Sequence, residues 1–237
     1  MKDLAMLAIA AVVGIAAATI LSSRASAEQA VHLPPPVQDV TTAPSGMQTA
    51  VFAGGCFWGV QAVFQHTRGV LNAVSGYAGG DAASAKYELV TSGRTGHAEA
   101  VQVTFDPRQV SYGKLLQIFY SVVHDPTTLN RQGPDTGTHY RSAVFYKDAQ
   151  QKQVTQAYIA QLDAAKTFRA RIVTQVAPLT VFHPAEAYHQ DYATRHPNQP
   201  YIAAFDRPKI ENLKTVFPDV YRDKPVLVSE ARARPAP

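Results

Sequence analysis

The sequence of 237 residues contains only one cysteine, Cys56. A single cysteine excludes an internal disulfide, a CxxC redox pair and a cysteine-rich zinc site within one chain. The net charge is +4, but no dense run of lysine and arginine occurs, so the sequence lacks the clustered charge of a nucleic-acid-binding surface. It also lacks GxGxxG, P-loop and GxSxG motifs, and its histidine spacing matches no zinc motif. We therefore expect no bound nucleotide, no metal and no nucleic-acid partner.

Residues 1–27 predict a signal peptide. An almost continuously apolar stretch from Leu4 to Leu21 precedes Ala25-Ser26-Ala27, which has the small-residue form of a signal peptidase site. We expect the mature protein to be exported, with a bacterial periplasm as the simplest destination and no membrane attachment after cleavage. Because the apolar stretch approaches the length of a membrane span, an uncleaved membrane anchor is the alternative. In an oxidising compartment, a lone cysteine is either buried and inert or present for its reactivity.

The remaining chain divides by composition into a linker, one domain and a tail. Residues 28–46 are rich in proline, threonine and serine, which predicts an extended linker. Residues 47–222 predict a single catalytic domain, since hydrophobic residues make up 46% of the chain and suffice for one core. Residues 223–237 predict a flexible tail.

Helix and strand patterns interleave throughout the domain, so the fold class is α/β or α+β. The strands are predicted at residues 48–53, 70–75, 99–105, 142–146 and 171–176. The helices are predicted at residues 56–65, 111–123, 148–165 and 185–195. A glycine-bearing turn is predicted at 76–81, and residues 124–140 form a long polar loop of the kind that usually carries function.

The cysteine lies where a strand is predicted to give way to a helix. Gly54-Gly55 ends the strand and Cys56 begins the helix, whose first turn has unsatisfied N–H groups and the positive end of the dipole. A thiolate is stabilised there, so we predict a lowered pKa for Cys56. The alternative is a small core residue. Phe57 and Trp58 are either part of the core or the walls of an apolar pocket beside the thiol.

Glu99 is the second unusual residue, because its strand face is apolar. It shares that face with Val101, Val103 and Phe105. Burial there raises the pKa of a carboxyl and keeps its proton near pH 7, as a general acid requires. The alternative is a position at the frayed strand end, where Glu99 reaches water. A thiol, a protonated acid and an apolar pocket together suit attack on an electrophilic sulfur or oxygen.

Gly55-Cys56-Phe57-Trp58-Gly59 resembles the signature of the class A peptide methionine sulfoxide reductases. Further similar segments follow in order at residues 76–80 (GYAGG), 87–90 (YELV), 96–101 (GHAEAV), 124–127 (HDPT), 131–135 (RQGPD), 140–142 (YRS) and 185–192 (AEAYHQDY). The resemblance covers about residues 48–222. It implies a two-layer α/β sandwich around a mixed sheet, with long coil segments and a ferredoxin-like core. It also implies a monomer that reduces methionine-S-sulfoxide, in oxidised proteins or free, to methionine.

The resemblance also implies roles for individual residues. These are Cys56 as nucleophile, Glu99 as acid, Tyr87 and Tyr140 as phenols that bind the sulfoxide oxygen, Phe57 and Trp58 as walls of the methyl pocket, and Asp135 as a group that positions the substrate main chain. Cys56 would become a sulfenic acid. Many relatives carry a resolving cysteine, but Ile202 stands where some of them have it. An external thiol, either thioredoxin-like or small, must therefore reduce the sulfenic acid, and no cofactor is bound.

Two other functions compete with this interpretation. One is a hydrolase in which Cys56 works with His97 or His189 as the base. The other is a module that binds oxidised methionine without turnover. His189 is otherwise expected to hydrogen-bond locally and support the site.

Overall fold

The computed structural model describes residues 29–40 and 46–231. The predicted signal peptide, residues 1–27, and the end of the predicted tail, residues 232–237, lie outside the described residues. The strands are β1 Gln48–Gly54, β2 Val70–Ala78, β3 Ala98–Phe105, β4 Arg131–Gln132, β5 Asp135–Thr136, β6 Ser142–Tyr146, β7 Gln175–Pro178 and β8 Phe182–Pro184. The helices are α1 Phe57–Gln65, α2 Tyr87–Val90, α3 Tyr112–Ile118, α4 Ala149–Ala164, α5 Tyr192–Arg195, α6 Arg207–Val216 and α7 Val228–Ala231. Two π-helical segments, Phe119–Val123 and Ile202–Asp206, follow α3 and precede α6.

Six strands form one mixed sheet in the order β7-β6-β1-β3-β2-β8. Strand β1 is antiparallel to both β3 and β6, β2 is antiparallel to β3, and β7 runs parallel to β6. The central strands β6-β1-β3-β2 are connected through α1 and α3, which gives the βαββαβ topology of a ferredoxin-like fold. This confirms the predicted fold class and core.

The core follows from the alternation of side chains along the strands. On β1, Ala50 and Phe52 join the large cluster that α1, α3 and α4 cover, whereas Val51 and Ala53 face the other side. Strand β3 alternates in the same way, with Val101, Val103 and Phe105 in the large cluster. Glu99 lies on that same face, two residues before Val101. The carboxyl is therefore directed into the helical side of the sheet, as its place in the sequence predicts.

The turn between β1 and α1 depends on Gly55. Its φ of +92° belongs to a region that favours glycine. A Cβ atom at this position would lie 2.8 Å from the Cβ of Gln132 in β4. The turn therefore needs glycine both for its backbone and for its neighbour, and it places Cys56 directly before the first residue of α1.

Some predicted elements differ from the observed ones. Strand β2 continues through the predicted glycine turn to Ala78, because residues 76–78 pair with β3 and with β8. The strand predicted at 171–176 lies at 175–178. The helix predicted at 185–195 is interrupted, because Gln190 hydrogen-bonds Ser75 on β2 and Asp191 has a φ of +59°. The helical segment from Ile202 to Val216 was missed altogether.

The described parts of the terminal segments lie against the domain. Residues 29–40 are extended, and the backbone of the segment accepts a 2.7 Å hydrogen bond at Leu33 from Gln117 of α3. Residues 226–228, within the predicted tail, contact the domain: Val226 N–H donates to the Gln65 carbonyl, and Val228 N–H donates to the buried carboxylate of Asp191. Across the described ranges, we find no helix with the length and apolar character needed to span a membrane.

Candidate active site

Cys56 is the residue that caps the N-terminus of α1. It is 7% exposed, so the sulfur lies just below the surface. The next residue, Phe57, donates its backbone N–H to Glu99 Oε2 at 3.0 Å. The first free N–H of α1 thus binds the Glu99 carboxyl, which brings the acid from β3 to the residue beside the thiol.

Glu99 is only 2% exposed and lies opposite Tyr77 in the β2–β3 pairing. Burial raises its pKa to about 8, and the Phe57 N–H opposes this only in part. A carboxyl with this pKa carries its proton near pH 7. Its burial agrees with the prediction of a protonated acid and excludes the alternative of a solvated strand end.

The prediction that Cys56 has a lowered pKa is wrong for the substrate-free protein. Burial raises the pKa of the thiol well above its ordinary value, and Asp206 and the ionised form of Glu99 raise it further. The backbone N–H of Trp58 acts in the opposite direction but does not compensate. Desolvation therefore outweighs the helix terminus, and Cys56 is a protonated thiol at rest.

The phenol side chains of Tyr87 and Tyr140 approach Cys56 and Glu99 from two separate parts of the chain. Tyr87 begins α2, and Tyr140 ends a 3₁₀ turn just before β6. Burial raises both phenol pKa values, and the charges of Glu99 and Cys56 contribute to each shift. Both residues are half-buried and remain neutral hydrogen-bond donors near pH 7. The structure thus assembles Cys56, Glu99, Tyr87 and Tyr140 at one place.

Phe57 and Trp58 lie in an aromatic cluster that surrounds the imidazole of His189. The ring centroid of His189 is 5.0 Å from that of Phe57 and 4.4 Å from that of Tyr87. Trp58 is half-buried, stacks on Tyr192 at 3.9 Å, and donates its indole N–H to His189 Nδ1 at 3.2 Å. The expected local hydrogen bond of His189 is confirmed. The cluster fixes Trp58 as a partly open apolar wall next to Cys56.

The hydrogen bonds of the cluster define the protonation of His189. Since Nδ1 accepts from Trp58, the ring proton lies on Nε2, which is 4.0 Å from the Glu186 carboxylate. Burial lowers the pKa of His189, so the ring is neutral near pH 7. Glu186 also accepts from the Tyr77 hydroxyl at 2.8 Å and from the Tyr87 N–H at 3.0 Å. It therefore links β2, α2 and the histidine into one support.

Asp135 approaches the site from the short β4–β5 hairpin. Its carboxylate accepts a hydrogen bond from the Tyr201 hydroxyl, and the Tyr201 ring lies 6.2 Å from Trp58 in an edge-on arrangement. Asp135 is half-buried and its charge acts on Glu99 and Cys56. All seven residues predicted for the site therefore lie in one region, although five separate elements of the fold supply them.

The two histidines considered as hydrolase bases do not face the sulfur. His97 Nδ1 accepts from Gly80 N–H at 3.2 Å, and its Nε2 contacts the Asp81 carbonyl at 3.0 Å. His189 is occupied by Trp58 and directed toward Glu186, as described above. Within the described ranges, no group of three or more histidine, cysteine, aspartate or glutamate side chains is arranged to hold a metal ion.

Sequence reasoning missed three residues of this region: Tyr201, Asp206 and Lys209. All three lie in or next to the helical segment that was not predicted. The spacing of Asp206 and Lys209, one helical turn apart, together with Pro208 at the start of α6, could have indicated a helix there.

The fold and the site bring the only cysteine of the chain together with a buried carboxyl and two phenols, an arrangement suited to thiol chemistry. Comparison with known proteins makes the class specific. The family model "Peptide methionine sulfoxide reductase" matches residues 48–220. The chain belongs to this family, and the names of its relatives identify class A. The predicted family is confirmed.

Two curated relatives illustrate the similarity. The chain is 57% identical over 193 residues to "Peptide methionine sulfoxide reductase MsrA 2" of Mesorhizobium japonicum, covering 81% of this chain and 98% of the relative. It is 49% identical over 190 residues to the protein of the same name from Synechocystis, covering 79% and 89%. The activity that the sequence predicts, reduction of methionine sulfoxide, is confirmed at this level.

Solved structures agree with the fold. The reduced form of Mxr1 from Saccharomyces cerevisiae is similar with a TM-score of 0.62 and 30% identity, covering 66% of this chain and 89% of that one. Methionine sulfoxide reductase A of Corynebacterium diphtheriae has a TM-score of 0.57 and 33% identity, covering 73% and 88%.

Proposed function

We propose that the protein reduces methionine-S-sulfoxide, in oxidised proteins and as the free amino acid, with Cys56 as the nucleophile and Glu99 as the acid. The observation that carries this proposal is the hydrogen bond from Phe57 N–H to Glu99. This contact supports the proposal because the residue next to Cys56, the only cysteine of the chain, binds a carboxyl whose pKa of about 8 favours the protonated form near pH 7. A reductase needs an acid where the oxygen departs, whereas a hydrolase needs an imidazole base near the sulfur.

The first half of the reaction moves one oxygen atom. Glu99 donates its proton to the sulfoxide oxygen, which makes the sulfur electrophilic, while Tyr87 and Tyr140 donate hydrogen bonds to the same oxygen. The Glu99 carboxylate left behind then accepts the Cys56 proton. The sulfur of Cys56 attacks the sulfoxide sulfur and takes the oxygen, so Cys56 is oxidised to a sulfenic acid and the substrate is reduced to methionine.

The remaining residues hold the substrate. Phe57 and Trp58 line the space for the methyl group on sulfur, because Trp58 is only half-buried and is fixed by His189 and Tyr192. Asp135, supported by Tyr201, binds the main-chain N–H of the methionine residue. The choice of the S epimer is what the resemblance to the class A reductases implies.

The second half of the reaction needs a thiol from outside the chain. With one cysteine, no intramolecular disulfide can form, and Ile202 is 2% exposed and packed against Ala62 and Ala193. A thioredoxin-like dithiol or a small thiol therefore attacks the sulfenic acid, water leaves, and a second thiol releases Cys56 from the mixed disulfide.

The reductase activity is tested with the two separate epimers of a methionine sulfoxide peptide and a dithiol reductant. We expect reduction of the S epimer alone, no reduction by Cys56→Ser, and continued turnover with a monothiol. Equal reduction of both epimers, or full activity of Cys56→Ser, would refute the proposal.

We further propose export to a bacterial periplasm and a monomeric protein. The apolar stretch and the Ala25-Ser26-Ala27 sequence support export. The N-terminal sequence of protein from the periplasmic fraction should begin at Glu28, and sedimentation should give one chain per particle. Full-length chain recovered only with membranes would instead favour the anchored alternative.

A further inference from the structure

Another buried carboxylate lies against the active-site helix. Asp206 ends the π-helical segment before α6 and is 0% exposed. Its partner is Lys209, one turn further along, whose ammonium lies 3.6 Å from Asp206 Oδ1 and whose side chain is 9% exposed. Burying an ionised carboxylate costs free energy because the charge loses its hydration, and favourable interactions elsewhere in the protein must offset this cost. A core position of this kind would ordinarily be apolar.

The carboxylate is in contact with the first turn of α1. A Cβ atom on Gly59 would lie 2.1 Å from Asp206 Oδ1, so only glycine leaves room for the oxygen. Gly59 is the third residue of α1 and follows Cys56 by three positions, one turn of the helix. Asp206 is thus seated against the helical turn that carries the nucleophile, and Gly59 admits it.

The charges of the region act on one another. Five titratable groups interact electrostatically with Asp206. Lys209 and Tyr201 lie near it in sequence, whereas Cys56, Glu99 and Asp135 come from α1, β3 and β5. Burial raises the pKa of Asp206 to about 6, and Lys209 opposes this. The group is therefore mostly ionised at pH 7. Its negative charge raises the pKa values of both Cys56 and Glu99.

We propose that Asp206 is a positioning residue of the reductase site, whose buried negative charge keeps the proton on Cys56 and on Glu99 in the substrate-free protein. The inference rests on the proposed function, in which Glu99 must be protonated before the sulfoxide binds. On this account the thiol reacts slowly at rest. A chain without a second cysteine cannot resolve an accidental oxidation of Cys56 by itself, and a protonated thiol is a poor target for oxidants.

The test is the pH dependence of Cys56 alkylation by iodoacetamide in Asp206→Asn. We expect the thiol pKa to fall by about one pH unit on loss of the nearby like charge, and alkylation at pH 7 to become roughly tenfold faster. Glu211→Gln is the matched control, since Glu211 lies on the exposed side of the same helix. It should leave the alkylation profile and the reductase activity unchanged.

A second readout concerns Glu99. The alkaline limb of the reductase pH profile should move to lower pH in Asp206→Asn, because the acid loses its proton more easily. A role in folding alone would change the amount of active protein but would not move both profiles toward lower pH.

A double variant allows the inference to be tested even if Asp206→Asn alone does not fold. Asp206→Asn leaves the Lys209 ammonium without this carboxylate, so Asp206→Asn/Lys209→Met removes both charges together. We expect the same lowered thiol pKa, because Asp206 is among the charges that raise it. An unchanged or higher thiol pKa in a folded variant would overturn the inference. Alkylation needs no sulfoxide substrate. If the wild-type protein had no reductase activity, the proposed function would be refuted, but alkylation would still measure the effect of Asp206 on the thiol pKa.

Discussion

The substitution Glu99→Gln should stabilise the protein at high pH while it removes the acid. The pKa of Glu99 is about 8 in the folded protein, against an ordinary value of 4.5. A raised pKa means that the folded state binds the proton more tightly than the unfolded state. The stabilisation from this proton is complete below pH 4.5 and is lost as the pH rises through 8.

The size of this loss of stability follows from the difference between the folded and unfolded pKa values of Glu99. Each pH unit between the two pKa values corresponds to about 1.4 kcal/mol, so wild type loses about 4 kcal/mol from pH 5 to pH 9 through Glu99 alone. Glutamine cannot ionise and does not suffer this loss. The free energy of unfolding of Glu99→Gln minus that of wild type should therefore rise by about 4 kcal/mol over this range.

Urea unfolding at pH 5, 7 and 9 measures the difference directly. The exposed carboxylate Glu211 supplies the control, and Glu211→Gln should follow wild type at every pH. In parallel, kcat of Glu99→Gln should fall by roughly 10²–10⁴ as expected for loss of a general acid. A stability difference that stays flat with pH would show that Glu99 is ionised in the folded protein, and the acid mechanism would then be untenable.

Other variants test single contacts of the site. Tyr140→Phe should lower kcat by roughly tenfold or more with little change in KM, because its hydroxyl stabilises charge that develops on the oxygen; single-turnover kinetics measure this, and an unchanged rate would remove Tyr140 from the oxygen site. Tyr201→Phe should raise KM for a peptide substrate several-fold, because the Asp135 carboxylate loses the hydrogen bond that holds it in place. A change confined to kcat would contradict a role in binding. His189→Leu should also raise KM because Trp58 loses its acceptor, whereas His189→Gln should restore most of the affinity; equal effects of the two variants would argue against the hydrogen bond.

The sequence predicted the part of the fold that local patterns determine. The alternation of β3 placed Glu99 on the core face, and Gly54-Gly55 marked the start of α1. These features depend on neighbours a few residues away, so periodicity and glycine reveal them. The interruption near Gln190 was missed because it depends on Ser75, more than a hundred residues earlier.

The pKa of Cys56 was harder to predict from the sequence than the identity of the site residues. A helix terminus alone favours a thiolate, and the sequence therefore predicted an acidic Cys56. In the folded protein, burial and the charges of Glu99 and Asp206 together raise the pKa of Cys56 instead. Asp206 lies 150 residues from Cys56 in a helix that the sequence pattern did not reveal, so its effect could be found only in three dimensions.

A single turnover without added thiol tests the central claim most directly. Reduced protein in excess is mixed with the S epimer of a methionine sulfoxide peptide, and both products are analysed by mass spectrometry. The account predicts one methionine for each Cys56 that becomes one oxygen atom heavier and can then be trapped by a sulfenic-acid reagent. Methionine formed while Cys56 remains unmodified, or sulfoxide left intact by a fully reduced thiol, would contradict it.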